Sequence, residues 1–244
     1  MGFKTFNVSD VLTASDVNTY LMKQAVITCT SSTRPASPVE GMTIYQTDTD
    51  NTWVYDGATW MPNTGLQPIK PTSVVGGTAT ANAVTASGSS TTLSLNGVFS
   101  SAYDIYRILI DSYQPATATR TVFMRMRSAG TDASGADYYY AINGAFTTGT
   151  GVSDYASAGQ TGMTTGLYNS GNTTALGAAS IDLFNPYKAE RTYGLIHQTG
   201  YDSNFFFRTG VIEHNLTTAY DGFTLYLSST GNITTLRVRV YGYR

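Results

Sequence analysis

Apolar and polar residues alternate with a period of two through the second half of this 244-residue chain. In the segment 223–227, Phe223, Leu225 and Leu227 share one face, and Thr224 and Tyr226 share the other. Successive side chains of a strand point to opposite faces, so the pattern predicts half-buried antiparallel strands. The other segments with clear alternation are 106–111, 122–127 and 236–241. No amphipathic helical pattern competes with them after residue 91, which restricts this part of the chain to β structure.

The residue types favour the same conclusion. Thr and Tyr suit pleated surfaces, and Gly, Asn and Asp supply the turns between strands. About eight strands of ordinary length fit between residues 91 and 244. We therefore predict a mainly β chain whose C-terminal part is an antiparallel β-sandwich, jelly-roll-like in type, preceded by a short helix and a small β-meander.

The low charge of the chain bears on which partners it can bind. Only 12% of its residues are charged, against roughly 25% in an average soluble domain. A hydroxyl-rich surface of this kind costs little to bury against copies of itself, so we expect a symmetric oligomer. The net charge is −2 and comes from the first 90 residues, which hold four basic and six acidic side chains. No region is basic enough to predict nucleic-acid binding.

Several features argue against a secreted, membrane-inserted or metal-dependent protein. Cys29 is the only cysteine, and the sequence has no CxxC pair or Cys/His cluster, so neither an internal disulfide nor a structural zinc site is expected. No run of about 18 apolar residues predicts membrane insertion, and the N-terminus lacks the pattern of a signal peptide. We therefore expect synthesis in the cytoplasm.

A short helix is predicted near the N-terminus. Thr13 and Asp16 form a capping-box-like pair in front of an apolar face, which predicts a helix from residue 14 to about residue 24. A helix of this length is too short to be stable alone in water, so its apolar face must dock on later segments, on sister chains or on another protein. The residues of that face are Val17, Tyr20 and Leu21.

A small β-meander is predicted next. Residues 42–47 and 52–55 read as two strands, and Asp56-Gly57 turns the chain towards a third strand at Trp60. Three short strands need an apolar centre, and the aromatic residues available for it are Trp53, Tyr55 and Trp60.

The stretch 63–90 is rich in Pro, Gly, Ala, Ser and Thr, and we interpret it as a linker with at most one short extended segment. Small residues would let three chains lie close together along one axis. A flexible tether has the same composition, so both interpretations stay open.

Two groups of residues resemble known proteins. Residues 11–27, with Arg34-Pro35 and the run Glu40-Gly41-Met42-Thr43-Ile44-Tyr45, resemble the opening of many tailed-phage minor structural proteins. The C-terminal part is similar to the trimeric β-sandwich tips of phage fibres. The motifs of that second resemblance are Met126-Arg127, Gly130-Thr131-Asp132, Tyr138-Tyr139-Tyr140, Phe184-Asn185-Pro186-Tyr187, Ser229-Thr230-Gly231-Asn232-Ile233 and Val240-Tyr241-Gly242-Tyr243.

The resemblance implies a structural component of a phage virion, a homotrimeric fibre or tip protein. Residues 1–62 would attach it to other virion proteins, 63–90 would form the linker, and 91–244 would form the tip domain that contacts a glycan or protein of the host surface. A capsid-attached head fibre or decoration protein is an alternative. A carbohydrate-binding module without catalysis is a second one.

No catalytic, cofactor or metal site is predicted. Glycoside hydrolysis needs two carboxylates about 5 to 9.5 Å apart, and Glu190 and Glu213 are the only acids of the C-terminal part away from turn residues. His197 and His214 are the only histidines; satisfied histidines on strands are the first interpretation, and a metal held on a trimer axis is the alternative. The arginine pairs 125/127 and 237/239 each share a strand face and either lie in solvent or form an acidic-glycan surface.

Tyrosines are the candidate host-binding residues, because a tyrosine ring gives a large contact area and its hydroxyl adds a hydrogen bond. Three of them are consecutive, and alternation along a strand sends the middle one to the opposite face, so at least one belongs to the core or to a subunit interface. The candidates are Tyr138, Tyr139, Tyr140, Tyr155, Tyr168 and Tyr201.

Overall fold

The computed structural model of the chain describes residues 7–17, 26–63, 65–80, 83–116, 120–147, 152–169, 176–202, 204–229 and 231–243. The chain divides into two compact units, Met1–Gly65 and Leu66–Arg244. Strands dominate both, so the prediction of a mainly β chain is confirmed. Among the described residues, no helix is both long and apolar enough to cross a membrane.

Where it is described, the first unit contains one short helix and a four-stranded sheet. The elements are α1 (Ala14–Asp16), β1 (Ile27–Cys29), β2 (Thr43–Gln46), β3 (Asn51–Tyr55) and β4 (Trp60–Pro62). The strand order is β1-β2-β3-β4, with β1 parallel to β2 and the other two pairs antiparallel. Strands β2 to β4 are the predicted meander.

Helix α1 begins with the predicted capping box. The Thr13 hydroxyl accepts a hydrogen bond from the Asp16 backbone N–H at 3.1 Å, and the Asp16 carboxylate accepts one from the Thr13 N–H at 3.2 Å. These bonds satisfy N–H groups that a first helical turn leaves without a partner. Of the predicted apolar face only Val17 is described, at the C-cap; Tyr20 and Leu21 lie outside the described residues.

The buried centre of the first unit is formed by smaller side chains than predicted. Ile44 is fully buried, and Met42 and Cys29 are nearly so. The aromatic residues are partly buried, and the rings of Tyr55 and Trp60 lie 5.4 Å apart. Strand β2 places Ile44 at the centre because it pairs with both neighbouring strands.

The second unit contains sixteen strands joined by hydrogen bonds. The first eight are β5 (Leu66–Ile69), β6 (Ser73–Val75), β7 (Gly77–Ala79), β8 (Val84–Ala86), β9 (Thr92–Asn96), β10 (Ile105–Pro115), β11 (Arg120–Ser128) and β12 (Thr131–Asp132). The others are β13 (Tyr138–Phe146), β14 (Val152–Gln160), β15 (Met163–Asn169), β16 (Gly177–Phe184), β17 (Thr192–Asp202), β18 (Asn204–His214), β19 (Gly222–Leu227) and β20 (Ile233–Tyr243).

The strand order is β6-β9-β19-β11-β15-β17-β16-β10-β20-β8-β7, with β12 beside β11, β5 beside β20, and β14-β13 continuing from β18. The path passes from β15 to β17 through a single parallel pair, Asn169 with Tyr201. This pair separates two sets of antiparallel strands, which share one apolar core. That arrangement is β-sandwich-like.

The core follows the predicted alternation. Leu236, Val238 and Val240 of β20 are buried, whereas Arg237 is exposed and Arg239 is only partly buried. The same cluster includes residues from both sets of strands, so one core holds them together. Representative members are Leu93, Met124, Phe223 and Leu225 from one set and Tyr106, Ile108, Ile181 and Val238 from the other.

The structure differs from the linker interpretation of residues 63–90. This stretch contains β5 to β8, which pair with β20, β9 and one another. The small residues allow close strand contact: a Cβ added at Gly77 would lie 2.5 Å from the Thr85 carbonyl oxygen. Composition alone does not reveal such strands, because they are short and have few large apolar residues.

Candidate functional site

The most unusual surface of the second unit is an exposed apolar sheet face on strands β17 and β18. We call it the outer apolar face. Its large side chains are between 42% and 56% exposed, although each belongs to a paired strand rather than to a loop. They are Tyr193, Leu195, Phe205, Phe207 and Val211.

Alternation along two neighbouring strands produces this face. In β18, Phe206 and Ile212 point into the core, so Phe205, Phe207 and Val211 point outward. In β17, Ile196 is buried and its neighbour Leu195 is exposed. Both strands carry large apolar residues on both faces, which is common in strands covered on both sides.

Strand pairing aligns these residues into rows. Val211 lies between Leu195 of β17 and Ala141 of β13. The next row places Thr209 between His197 and Asn143, and the Thr209 hydroxyl lies 3.1 Å from His197 Nδ1. Apart from His197, these two rows contain no ionisable side chain on the three strands.

Charged residues border the face and are paired. Beside Leu195, Asp182 accepts two hydrogen bonds from Arg107, both at 2.7 Å. At the other border, Glu213 is paired with Arg191 at 3.0 Å. An apolar centre with a charged rim is the usual anatomy of a protein–protein interface.

A shallow concavity of about 610 Å³ lies at one side of the face, where Leu195 and Val211 adjoin strands β13 and β14. Its lining is predominantly apolar and contains no carboxylate or lysine. The residues that line it are Ala141, Ile142, Asn143, Tyr155, Ala156, Leu195, Thr209, Gly210 and Val211. It can accept an apolar side chain, and its polar lining groups include the hydroxyls of Tyr155 and Thr209.

The structure separates the six candidate tyrosines into two groups. Tyr138 is fully buried. Its hydroxyl donates to the Ala133 carbonyl at 2.6 Å and accepts from the Met126 N–H at 3.0 Å. Tyr138 therefore belongs to the core and does not reach a host-binding surface. Tyr140 and Tyr155 are partly buried against that core, with ring centroids 6.0 Å apart.

Tyr168 also lies on the inner side, 6.2 Å from the ring of Phe206. Tyr139 and Tyr201 lie on the outer side, where Tyr201 contacts Phe205 of the outer apolar face at 5.2 Å between ring centroids. Thus only two of the six are positioned on an outward sheet surface. The expected split of the Tyr138–Tyr140 run between opposite faces is present, with Tyr139 as the outward member.

The ionisable residues considered from the sequence are mostly paired. Arg127 is paired with Asp132, and Arg237 and Arg239 both contact Asp111, at 2.6 and 3.2 Å. His214 is buried, whereas His197 lies in the outer apolar face. Among the described residues, no three His, Cys, Asp or Glu side chains are grouped as a metal site would require.

Leu195, Phe205, Phe207 and Val211 were not predicted from the sequence as functional residues. A signal was present: the run Phe205-Phe206-Phe207 gives one strand apolar residues on both faces. A single sequence does not show which of the two faces meets the core. The run therefore indicates that both faces of the strand are covered, but it does not show what covers the outer one.

Comparisons with known proteins add no assignment. No family model, no curated protein and no solved structure matches the chain.

Proposed function

We propose that this chain is a non-enzymatic structural component of a phage virion, a homotrimeric fibre or tip protein attached through its N-terminal unit. The outer apolar face is the observation on which the proposal rests. In the trimer, this face meets the same or a neighbouring surface of the other two copies. The part of the second unit that stays exposed in the trimer then contacts the host surface.

The chemistry of the face supports self-association. Five large apolar side chains on adjacent strands lose contact with water when a partner covers them, at a gain of roughly 25 cal/mol per Å² of apolar area. Two pairs at the border, Arg107 with Asp182 and Arg191 with Glu213, are formed within the chain, so covering them leaves neither pair broken. At these two points the border adds little net charge to an interface between copies.

The N-terminal residues support attachment through the first unit. Val8, Val11 and Leu12 are 99%, 84% and 51% exposed, and no described residue of α1 is buried. Apolar side chains in such a short capped segment gain stability only by contact with a partner. The tailed-phage resemblance of residues 11–45 falls on this same unit.

Particle incorporation tests the virion role. In the phage that encodes the chain, deletion of residues 1–65 should abolish incorporation, because the proposed attachment unit is removed. The full chain should be found at a fixed position in imaged particles, and that position distinguishes a tail fibre from a head fibre. Incorporation of the deleted chain at the normal level would contradict the attachment role.

A further inference from the structure

A second concave site lies on the set of strands that contains β11 and β19. The outer apolar face lies on the other set, which contains β17 and β18. It is a groove of about 340 Å³ on strands β11 and β19, beside the turn that joins β14 to β15. The side chains that line it are Phe123, Arg125, Gln160, Thr161, Tyr226 and Ser228. We propose that this groove binds a saccharide that has a carboxylate group.

The floor of the groove is aromatic. Phe123 and Tyr226 are directly opposite each other on β11 and β19, with ring centroids 5.8 Å apart. Both rings are partly buried, so they are held in place and still reach the surface. The C–H face of a pyranose packs on such rings, while its hydroxyl groups point to polar neighbours.

Arg125 supplies the charge of the groove. Its Nε donates to the Thr161 carbonyl at 2.7 Å, and its guanidinium carbon lies 4.2 Å from the Tyr226 ring centroid. Among the described side chains, no carboxylate lies within ion-pair distance of Arg125, whereas five other arginines have one. Those five are Arg107, Arg127, Arg191, Arg237 and Arg239.

A ligand carboxylate would therefore meet an arginine that is already oriented by the chain. Guanidinium groups bind carboxylates through charge-assisted hydrogen bonds, which are stronger than neutral ones. Gln160 and Ser228 add neutral hydrogen-bonding groups, and Ser228 Oγ is fixed by accepting from the Thr121 N–H at 3.2 Å. Aromatic, cationic and neutral polar groups in one groove match an acidic sugar better than an acidic peptide, whose side chains offer no flat C–H face.

Gly162 shapes the wall of the groove. A Cβ added at this position would lie 2.2 Å from the Tyr226 hydroxyl oxygen, so the turn passes directly against the ring. Gly162→Ala displaces the end of the Tyr226 side chain, while the charged side chain of Arg125 is retained. This substitution therefore alters the groove without altering its charge.

Calorimetric titration of the full chain tests the ligand class, with digalacturonate, its dimethyl ester and N-acetylglutamate amide as probes. We expect digalacturonate to bind at least about tenfold more tightly than its ester, the difference between a charge-assisted and a neutral hydrogen bond, and also more tightly than the amide, which has no pyranose ring to pack on the aromatic floor. Equal binding of the ester would contradict the role of charge. Equal binding of the amino-acid amide would contradict a saccharide, and no binding of digalacturonate at millimolar concentration would contradict the site.

Three variants locate the binding. Arg125→Gln should weaken digalacturonate binding about tenfold and leave the weak binding of the ester unchanged. Gly162→Ala should weaken both, and it provides a second test if Arg125→Gln does not fold. Arg237→Gln, which removes the same charge from β20, should have no effect; an equal loss in that variant would mean attraction by net charge and would overturn the assignment. None of these residues belongs to the outer apolar face, so the outcome is independent of the proposed trimer.

Discussion

His214 is fully buried, and its neighbours determine which ring nitrogen is protonated. Nδ1 lies 3.3 Å from the Asp137 carbonyl oxygen, and Nε2 lies 2.6 Å from the Tyr220 hydroxyl. A carbonyl can only accept, so Nδ1 donates and Nε2 accepts from Tyr220. The ring also stacks on Tyr138 with centroids 4.1 Å apart. Burial lowers the pKa of His214 below its ordinary value of 6.5, which keeps the ring neutral in the folded protein.

The lowered pKa predicts a loss of stability in mild acid. Below pH 6.5 the unfolded chain binds a proton at His214 that the folded chain excludes, so the free energy of unfolding falls as the pH falls, until the pH reaches the folded pKa. The slope for one proton is at most about 1.4 kcal/mol per pH unit. Urea unfolding at pH 7.5, 6.5 and 5.5 measures it.

Removal of the buried histidine tests the source of this effect. His214→Gln should lower stability at pH 7.5 and flatten the dependence on pH, because the group that binds the proton in the unfolded chain is gone. An unchanged pH dependence in His214→Gln would contradict this account of the buried ring.

Single residues were only partly predictable. Alternation shows that the middle tyrosine of Tyr138–Tyr140 differs from its neighbours, but not which side faces the core. Here the buried hydroxyl of Tyr138 has two backbone partners in the β11–β12 region, 12 and 5 positions earlier in the chain, and the turn between those strands brings them together. The ion pair of Arg127 with Asp132 depends in the same way on a turn that brings β12 back onto β11.

At the scale of elements, close contact between β13, β17 and β18 depends on glycine. Gly210 of β18 pairs with Ile142 on one side and Ile196 on the other. A Cβ added there would lie 2.3 Å from the Ala141 carbonyl oxygen and 2.9 Å from Ile142 Cα. Both are backbone atoms, so the neighbouring strand would have to move.

Gly210→Ala should therefore destabilise the second unit by about 1–3 kcal/mol, the usual cost of forcing extra volume into a packed site. Gly88→Ala is the control, because a Cβ at Gly88 has nothing within 4 Å. Thermal unfolding followed by circular dichroism compares the two variants. Similar melting temperatures for both variants would contradict the close packing of β13, β17 and β18 around Gly210.

Strong alternation identified β10, β11, β19 and β20, and the capping box identified the start of α1. The prediction undercounted the strands after residue 91, where the structure has twelve, β9 to β20. The strands that were missed, such as β14 and β16, are rich in Ala, Gly and Ser, and their pairing depends on the partner strand more than on their own pattern. Strands β5 to β8 were interpreted as a linker for the same reason.

For the whole molecule, the sequence predicted a mainly β fold class, which the structure confirms, and an oligomer, for which we propose the outer apolar face as the interface. Low charge indicates that some surface can be buried cheaply, but it does not locate that surface. The outer apolar face becomes visible only when β17 and β18 are paired, because its members are separated by up to 18 positions in the chain. The groove at Arg125 is likewise assembled from three separate segments.

Sedimentation equilibrium of the full chain at micromolar concentration tests the central claim most directly. We expect a species of three times the 26.2 kDa chain mass. Val211→Lys should weaken the trimer at least about 100-fold, because opposing like charges in an interface cost several kcal/mol. Val75→Lys alters a valine of similar exposure on β6 and should leave the trimer intact. A monomer for the unaltered chain, or a trimer that Val211→Lys does not weaken, would contradict assembly through the outer apolar face.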